Sequence, residues 1–201
     1  MRATPKAPRA ARPPVFVHRL AAALGEVGVP AKARDRIMAG SERLRTGAKP
    51  EQKANWCRRA IERMDSLLDR RTRIRVRERC ACSLTPFRLK PMKRLRDANP
   101  KLDDFLTAVQ KSRLMGAEVK RRGNKVRIRF GTQWCVCHAI RASKEPVSIT
   151  YCHCCKGHLM GLLQAAFGEP VKMDVVETHI SGGKDCRFVF YPTRQMLRAT
   201  S

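Results

Sequence analysis

At 201 residues the chain is the size of one ordinary domain, or of one domain with a helical extension, and its 43% hydrophobic residues are enough to bury a core. No run of eighteen apolar residues occurs, so no membrane span is expected. The formal charge of +26 would suit nucleic acid or another polyanion. Arginine outnumbers lysine about two to one amid abundant alanine, however, which also fits a genomic composition bias, and two Trp and two Tyr leave few platforms for stacking single-stranded bases.

Residues 1–13 carry proline and base without acid and read as a disordered basic tail. They lack the apolar middle of a secretory signal, so a cytoplasmic protein is expected. From Val15 to Val27 the positions Phe16, Leu20, Ala23 and Leu24 fall at helical spacing, with Gly28 placed to end the helix. A second helix is expected from Pro30 to about Leu44. The plainest one starts at Pro50, a favoured first-turn residue, and carries Trp56, Cys57, Ala60, Ile61, Met64 and Leu67 on one face. Cys57 belongs to that apolar stripe and reads as a packing residue. With no turn signal after Leu68, the run Arg70 to Arg79 reads as its continuation. Helical spacing lines up Arg71, Arg75 and Arg79, as a solvated face or as an anion-binding ridge for nucleic acid.

Cys80-Ala81-Cys82 follows, and Ser83 to Pro86 breaks the helix. Lys101 to Met115 is a further amphipathic helix, with Asp103 and Asp104 in its first turn. Around Gly123-Asn124 the period changes to alternation, and Val126, Ile128 and Phe130 mark a β-hairpin. Trp134 to His138 and Pro146 to Thr150 are expected as strands, Cys155 to Phe167 as a helix, and Val171 to Thr178 with Cys186 to Tyr191 as a closing hairpin. This order predicts an α+β fold: N-terminal helices, then an antiparallel sheet with one inserted helix. The organisation expected is a tail over 1–13, a helical region over 14–116, a cysteine-rich antiparallel α+β region over 117–192 and a C-terminal tail over 193–201, in one compact domain.

Chemistry concentrates in the cysteines. In strands, Cys135 and Cys137 would share a face, as would Cys152 and Cys154, and side-by-side strands would converge four sulfurs on one patch. Convergent thiolates are what a tetrahedral Zn²⁺ takes, and zinc is preferred over an iron–sulfur cluster because no ferredoxin-type spacing is present. Cys155 could replace one of the four. A rival reading makes Cys155 a thiolate at a helix N-terminus, activated by the dipole and by Lys156 and His158, with His153 or His158 as base. Strand alternation would turn His153 and His138 away from the sulfurs, and His18 carries no signal. No phosphate-binding glycine loop and no paired catalytic carboxylates occur.

At these residues the chain resembles a cysteine-rich bacterial domain family of unknown function. The resemblance lies in Ala60-Ile61-Glu62-Arg63-Met64-Asp65, Cys80-Ala81-Cys82, Cys135-Val136-Cys137 and Thr150-Tyr151-Cys152-His153-Cys154-Cys155, ending at Ser181-Gly182-Gly183-Lys184 and Cys186. Another cysteine often stands in that pattern where Ser83 stands here. The last quarter is also similar to the 4-vinyl-reductase-type domain, an α/β module that binds small molecules and in some members zinc. That resemblance implies a second metal pair, with His179 in place of the usual cysteine beside Cys186; Cys80 and Cys82 are further candidate donors for such a second group. The function expected is a metal-binding protein, with zinc in a structural or small-molecule-sensing role and a small apolar ligand as partner. The alternatives are a thiol- or metal-dependent enzyme such as a hydrolase, and nucleic-acid binding through Arg71, Arg75 and Arg79.

Overall fold

The computed structural model describes residues 13–82 and 84–198; residues 1–12 of the expected tail, Ser83 and residues 199–201 lie outside the described residues. Helix α1 (Val15–Glu26) buries Val17, Leu20, Ala23 and Leu24 along the expected stripe. Helix α2 (Ala31–Met38) stops earlier than expected. Gly40 adopts a left-handed φ of 80°, and a short 3-10 turn, Ser41–Arg43, carries the chain on to Leu44. Helix α3 (Pro50–Leu67) runs as read. It does not continue into the arginine run. The backbone is extended at Leu68, and Asp69 caps a new helix, α4 (Arg70–Arg79), by accepting the Thr72 N–H at 3.0 Å.

Helix α5 (Pro86–Ala98) occupies a stretch with no clear apolar period and tolerates Pro91 within it. Helix α6 (Leu102–Ser112) is followed by the hairpin β1 (Glu118–Arg122) and β2 (Lys125–Arg129). Strands β3 (Lys172–Glu177) and β4 (Arg187–Tyr191) complete one antiparallel sheet in the order β1-β2-β4-β3. Helix α7 (His153–Phe167) lies between the two hairpins in sequence, so the fold is α+β as expected. A last helix, α8 (Arg194–Arg198), buries Met196 where a tail was expected from residue 193.

The clearest departure is the cysteine stretch. Trp134–His138 and Pro146–Thr150 are not strands; residues 131–148 form an irregular loop, and a 3-10 turn, Ile149–Cys152, leads directly into α7, which starts two residues before Cys155. The loop's backbone groups find partners outside a ladder. The buried Asp185 carboxylate accepts the Gly131 N–H at 3.1 Å and the Cys186 N–H at 2.7 Å, ending the sheet there, while Val147 N–H donates to the Ile180 carbonyl at 2.6 Å.

Two apolar cores result. The first joins α1–α4 to the irregular loop and the start of α7; the second packs α5, α6 and the rest of α7 against the sheet. Cys155 and Val175 touch both.

Candidate functional site: a thiol-lined chamber

The site is built where α4 meets α7. Gly157 makes the meeting possible: a Cβ there would stand 2.3 Å from the Glu78 carbonyl oxygen, so only glycine allows the backbones so close. Lys156 locks the same crossing by an ion pair with Glu78 at 2.6 Å, both ends largely buried. On the other side of α4, Asp65 accepts the Thr150 hydroxyl at 2.8 Å and pairs with Arg73 at 3.2 Å, which ties the 3-10 turn to α3 and α4.

These contacts deliver Arg77 into the interior. It is 6% exposed. Its Nη2 and Nε donate to the Tyr151 carbonyl at 2.9 and 3.3 Å, and its guanidinium carbon lies 4.5 Å from the Tyr151 ring centroid. No carboxylate pairs with it among the described residues. A buried cation without a counter-anion is costly, and the acidic groups that face this one are thiols. Burial alone would lower the Arg77 pKa, but Cys80, Cys154, Tyr151 and Cys57 around it win and raise it, so the guanidinium stays charged.

Cys154 answers that charge. A hydrogen bond from the Cys155 thiol, opposed by burial and reinforced by the charge and hydrogen bond of Arg77, brings its pKa down to about 6. Cys155 moves the other way, well above the ordinary thiol range, because its proton is held by Cys154 and because it is buried. Both shifts favour the negative charge of the pair on Cys154, beside Arg77, and the proton on Cys155. Six further thiols are shifted toward the protonated form. Burial pushes Cys57 and Cys135 up to about 12 and raises Cys80, Cys137, Cys152 and Cys186. Tyr151 OH lies 3.0 Å from Cys137 Sγ and so links the loop to the arginine.

Beside this group opens a chamber of about 990 Å³, at the upper end of small-molecule sites. Cys57, Cys80, Cys82, Cys137, Cys154 and Cys155 line it, together with Arg77, Tyr151, His138 and His158. His158 is held neutral by burial, with Nδ1 unpartnered; His153 is lowered to about 4 by burial and by Lys156, Arg70 and Arg77.

The expected ligand sets are rearranged. Cys152 and Cys154 follow one another through a helical start, about 200° apart around the axis rather than on one face. Cys154 thus faces Arg77, while Cys152 faces Thr178 and shares its surroundings with Cys135 and Cys186, away from the chamber. Cys135 and Cys137 are on the loop and divide between the two groups. The supposed second set divides as well: Cys80 and Cys82 line the chamber, but His179 and Cys186 stand by Thr132 and Asp185, with His179 Nε2 2.7 Å from the Thr132 carbonyl oxygen. Among the described residues no three Cys, His, Asp or Glu donors stand close enough to share an ion. Arg71, Arg75 and Arg79 are exposed along the outer side of α4 as the helical spacing implied, His18 is exposed, and His138 is exposed at the chamber.

Arg77 and Tyr151 are the participants that sequence reasoning passed over. Once α4 is taken as a helix, Arg73, Val76, Arg77 and Cys80 fall at i, i+3, i+4 and i+7, so two arginines share a face with Val76 and Cys80, and Arg77 lies between those two apolar positions. That was the available signal.

A family model described as a family of unknown function (DUF6144) matches residues 30–197. The similarity to the 4-vinyl-reductase-type domain is not shown by these comparisons. No curated protein and no solved structure matches the chain.

Proposed function

The chain belongs to that family of unknown function, and from this premise we propose that the chamber is a thiol-dependent site in which the Cys154 thiolate meets a small, mainly apolar molecule. The observation that carries this reading is a buried Arg77 whose facing acids are thiols, so that a permanent cation fixes one cysteine as anion inside an apolar cavity. Cys154 replaces Cys155 as the reactive group. Cys155 donates the hydrogen bond that keeps the thiolate formed, and the α7 N-terminus adds its positive end beneath both sulfurs. Whether the outcome is catalysis or sensing follows from the ligand.

The pH profile of alkylation by iodoacetamide, with the modified peptide identified by mass, tests it. Cys154 should react first, with a midpoint near 6, and Arg77→Met should move that midpoint up toward the ordinary thiol value. No thiol titrating below the ordinary range, or a fast one at another position, would sink the proposal.

One observation favours a second reading, a cysteine-held zinc ion in a structural or sensory role. Cys137, Cys154 and Cys155 all line the chamber, and the Cys154 charge acts on both of the others, so three soft donors share one cavity although they do not stand close enough to hold an ion as they are. Binding would require the loop bearing Cys137 to close on α7. Arg77 would balance the charge of such a zinc–thiolate group. Elemental analysis of protein purified without chelator separates the readings: about one zinc per chain, lost in Cys137→Ser/Cys154→Ser, establishes the metal. Absence of zinc and of iron, with a fast Cys154, leaves the thiol site.

A further inference from the structure

The lining of the chamber is one-sided in charge. Arg19 from α1, Lys53 from α3, Arg77 from α4, Arg88 from α5 and Arg113 just after α6 all contribute to it, and no aspartate or glutamate does. Arg77 is matched by the Cys154 thiolate. The other four are not matched: Arg19, Arg88 and Arg113 are exposed, Lys53 is half-buried, and none makes an ion pair among the described residues. Unpaired cations are common in a chain of net charge +26, although some find acids, as in Arg58–Glu62, Arg121–Asp103 and Arg187–Glu177; what sets these four apart is that they line one chamber that no acid lines. Four separate stretches of chain bring unpaired charge to the lining of one chamber, and the exposure of Arg19, Arg88 and Arg113 marks its opening to solvent. Arg113 does so from a left-handed backbone, φ 55°, outside the usual range for a residue with a side chain.

Behind that opening the wall is apolar. Phe16, Leu20, Trp56, Ile61, Met115 and Leu159 are among the residues that form it. A cationic mouth over an apolar interior selects for one kind of molecule: like charges held together without acids lower one another's tolerance for an empty site, and an anion relieves them. We propose that the chamber's ligand is an amphipathic anion, with its apolar body against this wall and a carboxylate, sulfonate or phosphate head at Arg19, Arg88, Arg113 and Lys53. This rests on reading the chamber as a ligand site and is independent of the reactivity of Cys154.

Two fluorescent probes that share an aromatic frame and differ in one group test it. 1-Anilinonaphthalene-8-sulfonate is anionic and N-phenyl-1-naphthylamine is neutral. At low salt the sulfonate should bind roughly tenfold more tightly than the neutral probe. That preference should collapse in Arg19→Gln/Arg88→Gln and persist in Lys120→Gln/Arg127→Gln, which removes the same charge from the exposed face of β1 and β2. Equal binding of the two probes overturns the proposal. So does equal loss in both double variants, which would mark a general charge effect, or no loss in either. Cys154→Ser separates the two claims. It abolishes fast alkylation if the thiol reading is right, and it leaves the probe preference intact if the anion reading is right. A wild-type chain without fast alkylation but with the mouth-dependent preference refutes only the thiol reading.

Discussion

The two cores are built from the same kinds of element but from different chemistry. The core on the sheet is apolar in the ordinary way: Phe105, Phe188 and Phe190 are fully buried, Phe105 meets Phe167 edge-on at 5.2 Å, and Cys186 is the one fully buried thiol in it. The core formed by α1–α4 with the irregular loop buries Cys57, Cys80, Cys135, Cys152 and Cys154, and has a charged arginine inside. The thiol half holds a cation that must be balanced, and the chamber beside it is closed on its far side by Arg88, Arg113, Met115 and Leu159 of the sheet half. The contrast separates a core of ordinary apolar packing from one that combines five buried thiols with a buried cation.

The largest effect should come from the sheet half. Phe188→Ala removes a fully buried ring and should cost about 3–5 kcal/mol in denaturant unfolding, while the alkylation midpoint of Cys154 in the folded protein stays near 6. A shifted midpoint would mean that the halves are not chemically separate. Gly157→Ala should be milder for stability, about 1–3 kcal/mol, because the new methyl must push α7 away from the Glu78 backbone. Unlike the phenylalanine variant it should raise the Cys154 midpoint, since Cys154 moves from Arg77; unchanged chemistry in a destabilised protein would break the link between the helix crossing and the thiolate.

The smallest effects are in pH dependence, which should belong to the thiol half. The native Cys154 pKa lies below its ordinary value, so its contribution is complete above that value and is lost as pH falls through about 6. His153 is neutral in the native state down to about 4, whereas the unfolded chain takes up the proton near 6.5, so stability also declines as pH falls across that interval. Melting temperatures from alkaline to acid pH should show a shallower upper slope in Cys154→Ser and a shallower lower slope in His153→Phe. Phe188→Ala should lower the whole curve without changing either slope.

How much of this was legible follows the same division. Helices α1, α3 and α6 and the strands of both hairpins were readable because each buries a regular stripe, as with Leu20 and Leu24 or Val126 and Ile128. The resemblance to a family of unknown function was also sound. Residues 131–152 were misread because Cys-x-Cys has the period of a strand, whereas their conformation is set by single contacts from outside the segment, such as Asp185 on Gly131 and Ile180 on Val147. The break at Asp69 was a capping residue taken for one more polar position in a helix. Arg77 was concealed by its neighbours: in a run with arginine at every second position, composition cannot reveal the one that points inward.

The anchoring contacts also set the order in which the protein is made. Arg77 meets the Tyr151 carbonyl across 74 residues, and Asp65 meets Thr150 across 85. During synthesis α1–α4 emerge with Cys57, Cys80 and Cys82 and with an arginine whose counter-charge does not yet exist. Such non-local closure comes late and slowly. The nascent chain therefore passes through an interval in which Cys57, Cys80 and Cys82 are accessible and the arginine that will be interior is solvated, until Tyr151 and Cys154 arrive.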